Sequence, residues 1–518
     1  MTLHSAEHPI ISTTQGLIQG KGDGTVFEFL DIPYAQGIAG KNRFLPPQAV
    51  TAWSDVLHAT QYANTAPQQA EAIHTPVTAA FAAPPEVQVG DHCLALNIWT
   101  PAQHSGKLAV MVWLHGGGWT SGSGSCGVYH GANLARRGDV IVVTLNHRLG
   151  LLGFTDLSRV VGGDYRNSTN LGMQDIVAAL KWIQQHIAAF GGDPDCITIF
   201  GESGGGWKVS TLLAMPIAEG LFQRAIIQSG PLTQAMSYAH ADQIASAVLT
   251  ALRVDPSAPT ALEQLSIEQI NAAEKQILRA FPMTQPGFPQ GFWPVLHAEQ
   301  LPQHPFEPQA AASSLQVPLL IGQNATEFSL FMLADQAAYT LDATQLTQRV
   351  VSVFGEDAPQ ILACYQRDFP NASPSEHWFL IYSDYIMGSL SAAIADARSV
   401  EGAAPVYAYR FNWHTPIHDG QLYSPHTIEI PFVFNNALDR GLIMTGGGAE
   451  VQALAETVSN AWVTFAKTGH PAADTLPEWS AYQPNNRASM HLNTHSQIQA
   501  YLAPELVGLF RQKLWNNA

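Results

Sequence analysis

The sequence predicts an α/β fold: a large, mostly parallel sheet with helices on both faces and long loop or helical excursions. Three observations carry that prediction, namely apolar runs of strand length, helical apolar spacing between them, and glycines where the runs end. Residues 108–114 (LAVMVWL) form an unbroken apolar run leading into glycines, which is how a strand buried on both faces reads. Residues 140–145 (VIVVTL) repeat it. Between Gly172 and Phe190, apolar Ile176, Ala179, Leu180, Ile183 and Ile187 recur at helical spacing, and the segment GGDPD is expected to stop that helix. A short apolar run follows at 196–200, then a helix-like stretch after Gly206. Further strands are expected at 224–229 (RAIIQS), near 317–322 and at 405–410. Strands alternating with helices imply βαβ units, hence a parallel sheet sandwiched between helices.

The polar, Pro-rich stretches 65–87 and 281–312 read as excursions from that sheet. No internal repeat or low-complexity linker divides the chain, so residues 1–518 are expected to form one elaborated domain. Acidic residues outnumber basic ones, 41 to 24, giving a formal charge of −17 that would repel phosphate backbones and anionic lipid. Nucleic acid is therefore not an expected partner. Residues 1–16 show no basic start followed by an apolar run, so no secretory signal is read, and no apolar stretch is long enough to span a membrane. Four cysteines, Cys93, Cys126, Cys196 and Cys364, fit neither a disulfide framework nor a zinc pattern. These readings point to the cytoplasm, with no metal or cofactor required and a monomer as the default.

The chemistry is concentrated in two glycine-rich motifs. In ITIFGESGGG, Gly201-Glu202-Ser203-Gly204-Gly205 follows an apolar strand and precedes a helix, the context in which G-x-S-x-G places a nucleophilic serine on a sharp turn. At the end of the 108–114 run stands His115-Gly116-Gly117-Gly118-Trp119. Backbone N–H groups there can reach an oxyanion because glycine lets the main chain approach closely. Just downstream, Gly122 to Gly127 fits G-x-G-x-x-G, but it does not directly follow its strand, and a dinucleotide site is not expected.

With these motifs placed, the chain resembles the type-B carboxylesterases, the α/β-hydrolases that include p-nitrobenzyl esterases, animal carboxylesterases and cholinesterases. The resemblance runs from DIPYA at Asp31 and RFLPP at Arg43 through DHCLALNIWTP, HGGGW, NHRLGLLGF, AAFGGDPDCITIFGESGGG and LFQRAIIQSG to FAKTGHP at Phe465. It implies a Ser, Glu, His triad: Ser203 as nucleophile, Glu327 in IGQNATE as acid, and His426 in HTIEIPFVF as base. His418 is the nearest rival for the base. The implied oxyanion donors are Gly117, Gly118 and Gly204, the last replacing an alanine usual in the family. Glu202 and Ser229 occupy positions that support the triad in relatives, and Arg43 with Asp91 and Arg148 with Asp175 match its structural ion pairs. The cysteine that pairs with the Cys93 position in secreted relatives is replaced, since the segment reads Ala66-Pro67-Gln68. That departure agrees with a reducing compartment.

The expected activity is hydrolysis of small-molecule carboxylic esters bearing apolar or aromatic groups through an acyl-enzyme. The same site could transfer the acyl group elsewhere or cleave amides or carbamates, and a non-catalytic adhesion module is disfavoured by the intact triad. Pocket walls are expected from Trp119, Trp207, Phe288, Phe292, Trp293 and Phe328, aromatics beside the motifs or in the excursion before Pro294.

Overall fold

The computed structural model describes residues 7–69, 76–283, 287 and 289–515. Its centre is an eleven-stranded sheet. In chain order the strands are β1 (Lys21–Gly22), β2 (Val26–Pro33), β3 (Ala95–Pro101), β4 (Leu108–Leu114), β5 (Ile141–Leu145), β6 (Gly192–Glu202), β7 (Arg224–Gln228), β8 (Leu319–Asn324), β9 (Val406–Phe411), β10 (Ala488–Leu492) and β11 (Gln497–Ala500). Across the sheet they lie β11-β10-β9-β8-β7-β6-β4-β5-β3-β2-β1. Neighbours from β5 through β10 run parallel, while both edges turn antiparallel. A separate three-stranded sheet joins Ile10–Thr13, Gly16–Gln19 and Val56–His58.

The apolar runs form central strands because each pleat face has its own cover. Leu108, Val110, Val112 and Leu114 of β4 join one core cluster, and Ala109, Met111 and Trp113 join the other. The first cluster includes Ile176, Leu180 and Ile183 of helix α1 (Leu171–His186) and Val209 and Leu212 of helix α2 (Gly204–Leu212). The second is closed by Val458, Ala461, Trp462 and Phe465 of the helix Ala449–Thr468. Register sets Val112 opposite Val143 on one side and Ile199 on the other.

The expected helix stop falls at Gly191, which turns the chain at φ 93°, and β6 begins earlier than the apolar run at 196–200, at Gly192. Gly192 pairs with Leu108 of β4, and the register is irregular from there until Ile197 pairs with Val110. Both expected ion pairs form. Arg148 and Asp175 are buried and joined at 2.7 Å, with a second side-chain bond at 2.8 Å, and Arg43 lies 3.3 Å from Asp91.

Candidate active site

Ser203 stands where β6 turns into α2, at φ 56° and ψ −123°, a backbone conformation uncommon for a residue with a side chain. The turn is held from both sides. Ser203 N–H donates to the Gln228 carbonyl on β7 at 2.9 Å, and Trp207 N–H donates to the Ser203 carbonyl at 3.1 Å. Glycines make the turn possible, because a Cβ on Gly201 would sit 2.6 Å from the Leu114 carbonyl oxygen and one on Gly205 would collide with it outright. A Cβ on Gly204 would fall 2.2 Å from the Gly118 carbonyl oxygen, so elbow and loop approach more closely here than an alanine would allow.

The loop after β4 brings Gly116, Gly117 and Gly118 to the same cavity. Gly117 and Gly118 adopt φ of 82° and 61°, the left-handed region that favours glycine. Their carbonyl directions are set behind the loop. The Gly117 carbonyl accepts from Ser121 N–H at 3.0 Å and from its hydroxyl at 3.1 Å, while the Gly116 carbonyl accepts from His115 Nδ1 at 2.8 Å.

Glu327, beyond the end of β8, is fully buried; its Oε1 accepts from Asn324 N–H at 2.6 Å and its Oε2 meets His426 Nδ1 at 2.5 Å. The other imidazole nitrogen, Nε2, faces Glu202 Oε1 at 3.2 Å. Burial lowers the pKa of His426, but the carboxylates of Glu202 and Glu327 outweigh it and hold the value up at about 9. Burial also drives the Glu202 carboxyl well above its usual range, opposed by the attraction of His426. His418, by contrast, is exposed on a turn at φ 53°.

Ser229 immediately follows β7, buried, with φ 46° and a hydroxyl that has no partner among the described residues. A third buried carboxylate, Glu429, is the acid of the H-x-x-E stretch containing His426. It accepts from Gln228 at 3.0 Å and Asn324 at 2.6 Å, tying β7 and β8 to the segment that carries His426. Burial, then the Glu327 charge, raises its pKa to about 6. The motif marked its position but not its role.

Ser203, Glu202, His426 and the three loop glycines open onto one cavity of about 690 Å³. Of the expected walls, Trp207 and Phe328 line it. Trp119 does not: it is 2% exposed, packed edge-on against Phe154 and stacked on Trp207. Phe292 is wholly buried in the core and Trp293 packs half-buried against it, because large apolar rings in an excursion gain most by anchoring that excursion. Phe288 lies outside the described residues. The walls are supplied instead by Phe331, just beyond Glu327, and by Tyr382, Ile386, Met387 and Met283 from segments distant in sequence, with the Phe331 ring tilted against the His426 ring at 4.7 Å. The G-x-G-x-x-G segment binds its own surroundings. Gly122 N–H donates to Gln68 and Gly124 N–H to Asn146, each at 2.8 Å.

A parallel sheet with a serine elbow, a glycine loop and an acid–imidazole pair at the C-terminal ends of its strands defines an α/β-hydrolase. More narrowly, the chain belongs to the carboxylesterase family, whose sequence model matches residues 7–507. It is 36% identical to the para-nitrobenzyl esterase of Bacillus subtilis (strain 168) over 95% of this chain and 96% of that one. It is 32% identical to the phenmedipham hydrolase of Pseudarthrobacter oxydans, covering 93% and 94% respectively. A solved PNB esterase structure superposes with a TM-score of 0.80 at 35% identity, over 98% of this chain and all of that one. The protein is a carboxylic ester hydrolase by family.

Proposed function

We propose that this chain hydrolyses carboxylic esters with apolar or aromatic acyl or alcohol groups through an acyl-enzyme on Ser203. His426 takes the serine proton during attack and returns it to the leaving alcohol, and Glu327 fixes the imidazole tautomer through Nδ1 and stabilises the imidazolium. N–H groups of Gly117, Gly118 and Gly204 receive the oxyanion, the last at the positive end of α2. Glu202 adds negative potential at Nε2, and Ser229 supports the strand end beside the elbow. The observation that carries this reading is the buried 2.5 Å contact between Glu327 and His426, with His426 and Ser203 opening onto one apolar cavity.

The lining supports the substrate class. Phe328, Phe331, Tyr382, Ile386 and Met387 offer an apolar surface, and no lysine or arginine joins the described lining. The same reading takes the chain as one domain acting on small molecules without nucleic acid, and the free, buried Cys93 supports a cytoplasmic placement. The test is stopped-flow hydrolysis of p-nitrophenyl butyrate. A burst of about one p-nitrophenol per chain, absent in Ser203→Ala, is expected where deacylation is slower than acylation. Steady-state activity unchanged by Ser203→Ala would refute the reading.

A further inference from the structure

One buried cation stands beside the oxyanion loop without a role in this chemistry. Lys208 lies on α2, five residues beyond Ser203, and is wholly buried. Its ammonium donates to the His115 carbonyl at 2.8 Å and lies 5.8 Å from the Trp119 ring centroid. Burial lowers its pKa to about 7, with no carboxylate among the described residues to offset that. A cation near a helix N-terminus opposes the helix dipole, and a buried charge without a counter-ion is costly. The fold carries it nonetheless, at the residue that immediately precedes Gly116, Gly117 and Gly118.

The loop explains what such a group can do. In a trans peptide the carbonyl and the following N–H point in opposite directions, so pinning a carbonyl aims the next N–H. The Gly117 carbonyl is pinned by Ser121, which aims Gly118 N–H, and the Gly116 carbonyl by His115 Nδ1, which aims Gly117 N–H. The second depends on where His115 sits, and the His115 carbonyl is held by Lys208. The titratable groups around the ammonium are His115 itself and His147, stacked at 5.0 Å, with the Arg148–Asp175 pair beyond. Burial, then the Lys208 charge, holds both imidazoles well below their ordinary value, which keeps them neutral and leaves His115 able to donate from one nitrogen.

We propose that Lys208 is a positioning residue for the oxyanion loop, anchoring the His115 carbonyl so that His115 holds the Gly116 carbonyl and Gly117 N–H is aimed at the tetrahedral oxyanion. The proposal rests on the ester-hydrolase reading. A residue acting this way matters more to the transition state than to the bound ester, so its loss separates kcat from KM.

The experiment compares the unsubstituted chain with Lys208→Met and Lys208→Gln, measuring kcat and KM for p-nitrophenyl butyrate and the Ki of an alkyl trifluoromethyl ketone, which forms a tetrahedral adduct on serine. Expected for Lys208→Met is a kcat lower by about ten- to a hundredfold, a KM within about twofold, and a ketone Ki weakened in parallel with kcat. A folded Lys208→Met with unchanged kcat and ketone affinity overturns the proposal, as does a rise in KM alone. Should Lys208→Met fail to fold, Lys208→Leu, which likewise lacks a donor, decides by the same criteria, and Lys208→Gln, which keeps a donor but not the charge, is expected to retain more of kcat than either. Ser203→Ala runs alongside: activity surviving there sinks the ester reading, whereas activity surviving only in the Lys208 variants sinks this proposal alone.

Discussion

His426 sits between two carboxylates, and that arrangement sets how the site responds to pH. It must be neutral to accept the serine proton, yet Glu202 and Glu327 raise its pKa to about 9 against the lowering effect of burial. Activity should therefore fall as pH drops through that raised value, with the acid limb of kcat/KM lying above the ordinary histidine value of about 6.5. Glu202→Gln removes one carboxylate, so the limb should move toward lower pH while kcat/KM on the plateau falls roughly tenfold. A pH–rate profile of both proteins checks this, and an acid limb unmoved by the substitution contradicts the electrostatic role. Ser203 and the glycines were legible in the sequence because each lies in a motif that the geometry of a tight turn or a close main-chain approach demands, whereas Glu327 and His426 were marked only through the resemblance to the type-B carboxylesterases. Lys208 was not, since nothing in the string tells a surface lysine of a helix from one folded back under a loop. Glu429 was legible as a position only: its bonds reach Gln228 and Asn324, on two other strands.

The elements around the elbow decide substrate choice. Trp207, in the first turn of α2, lies close beside the loop, so that a Cβ on Gly118 would be 3.7 Å from its ring. The three glycines line the cavity without side chains, and Trp207 lines it beside them. Trp207→Ala should raise kcat/KM for tert-butyl acetate relative to n-butyl acetate by about tenfold, the scale of one relieved apolar clash. An unchanged ratio in a gas-chromatographic assay of both esters would show that the obstruction lies elsewhere. On the opposite wall, Phe328 and Tyr382 meet edge-to-face at 4.8 Å. Tyr382→Ala should cost about 1–3 kcal/mol in kcat/KM for phenyl or naphthyl esters and far less for ethyl acetate. Equal losses on both would point to a folding defect. Sequence reasoning looked for walls next to the motifs and found only two, because helices such as Pro374–Ser383 reach the cavity through tertiary packing that periodicity does not encode.

Across the whole molecule, the sheet positions the site and buried polar pairs hold the loops that frame it. Arg148 makes two bonds to the Asp175 carboxylate from its side chain and one from its N–H, all at 2.7–2.9 Å with both partners buried, fastening the segment after β5 to α1. Removing one partner leaves the other charged and buried. Asp175→Asn should therefore cost about 3–5 kcal/mol, read as faster thermal inactivation with kcat of the surviving enzyme little changed. Inactivation at the unsubstituted rate would contradict that. The sheet itself was largely legible, since strands buried on both faces must be written as unbroken apolar runs. The strands towards the two margins, β1, β2, β3, β10 and β11, were not, because they are short or interrupted by polar residues such as Glu28, Asp31 and Asn97. The most direct test of the central claim is peptide mapping by mass spectrometry after titration with a fluorophosphonate. The account predicts one adduct per chain, on Ser203, with hydrolysis of p-nitrophenyl butyrate falling to zero in proportion to labelling; complete labelling of Ser203 with hydrolysis intact, or lost activity with the adduct on another residue, would contradict it.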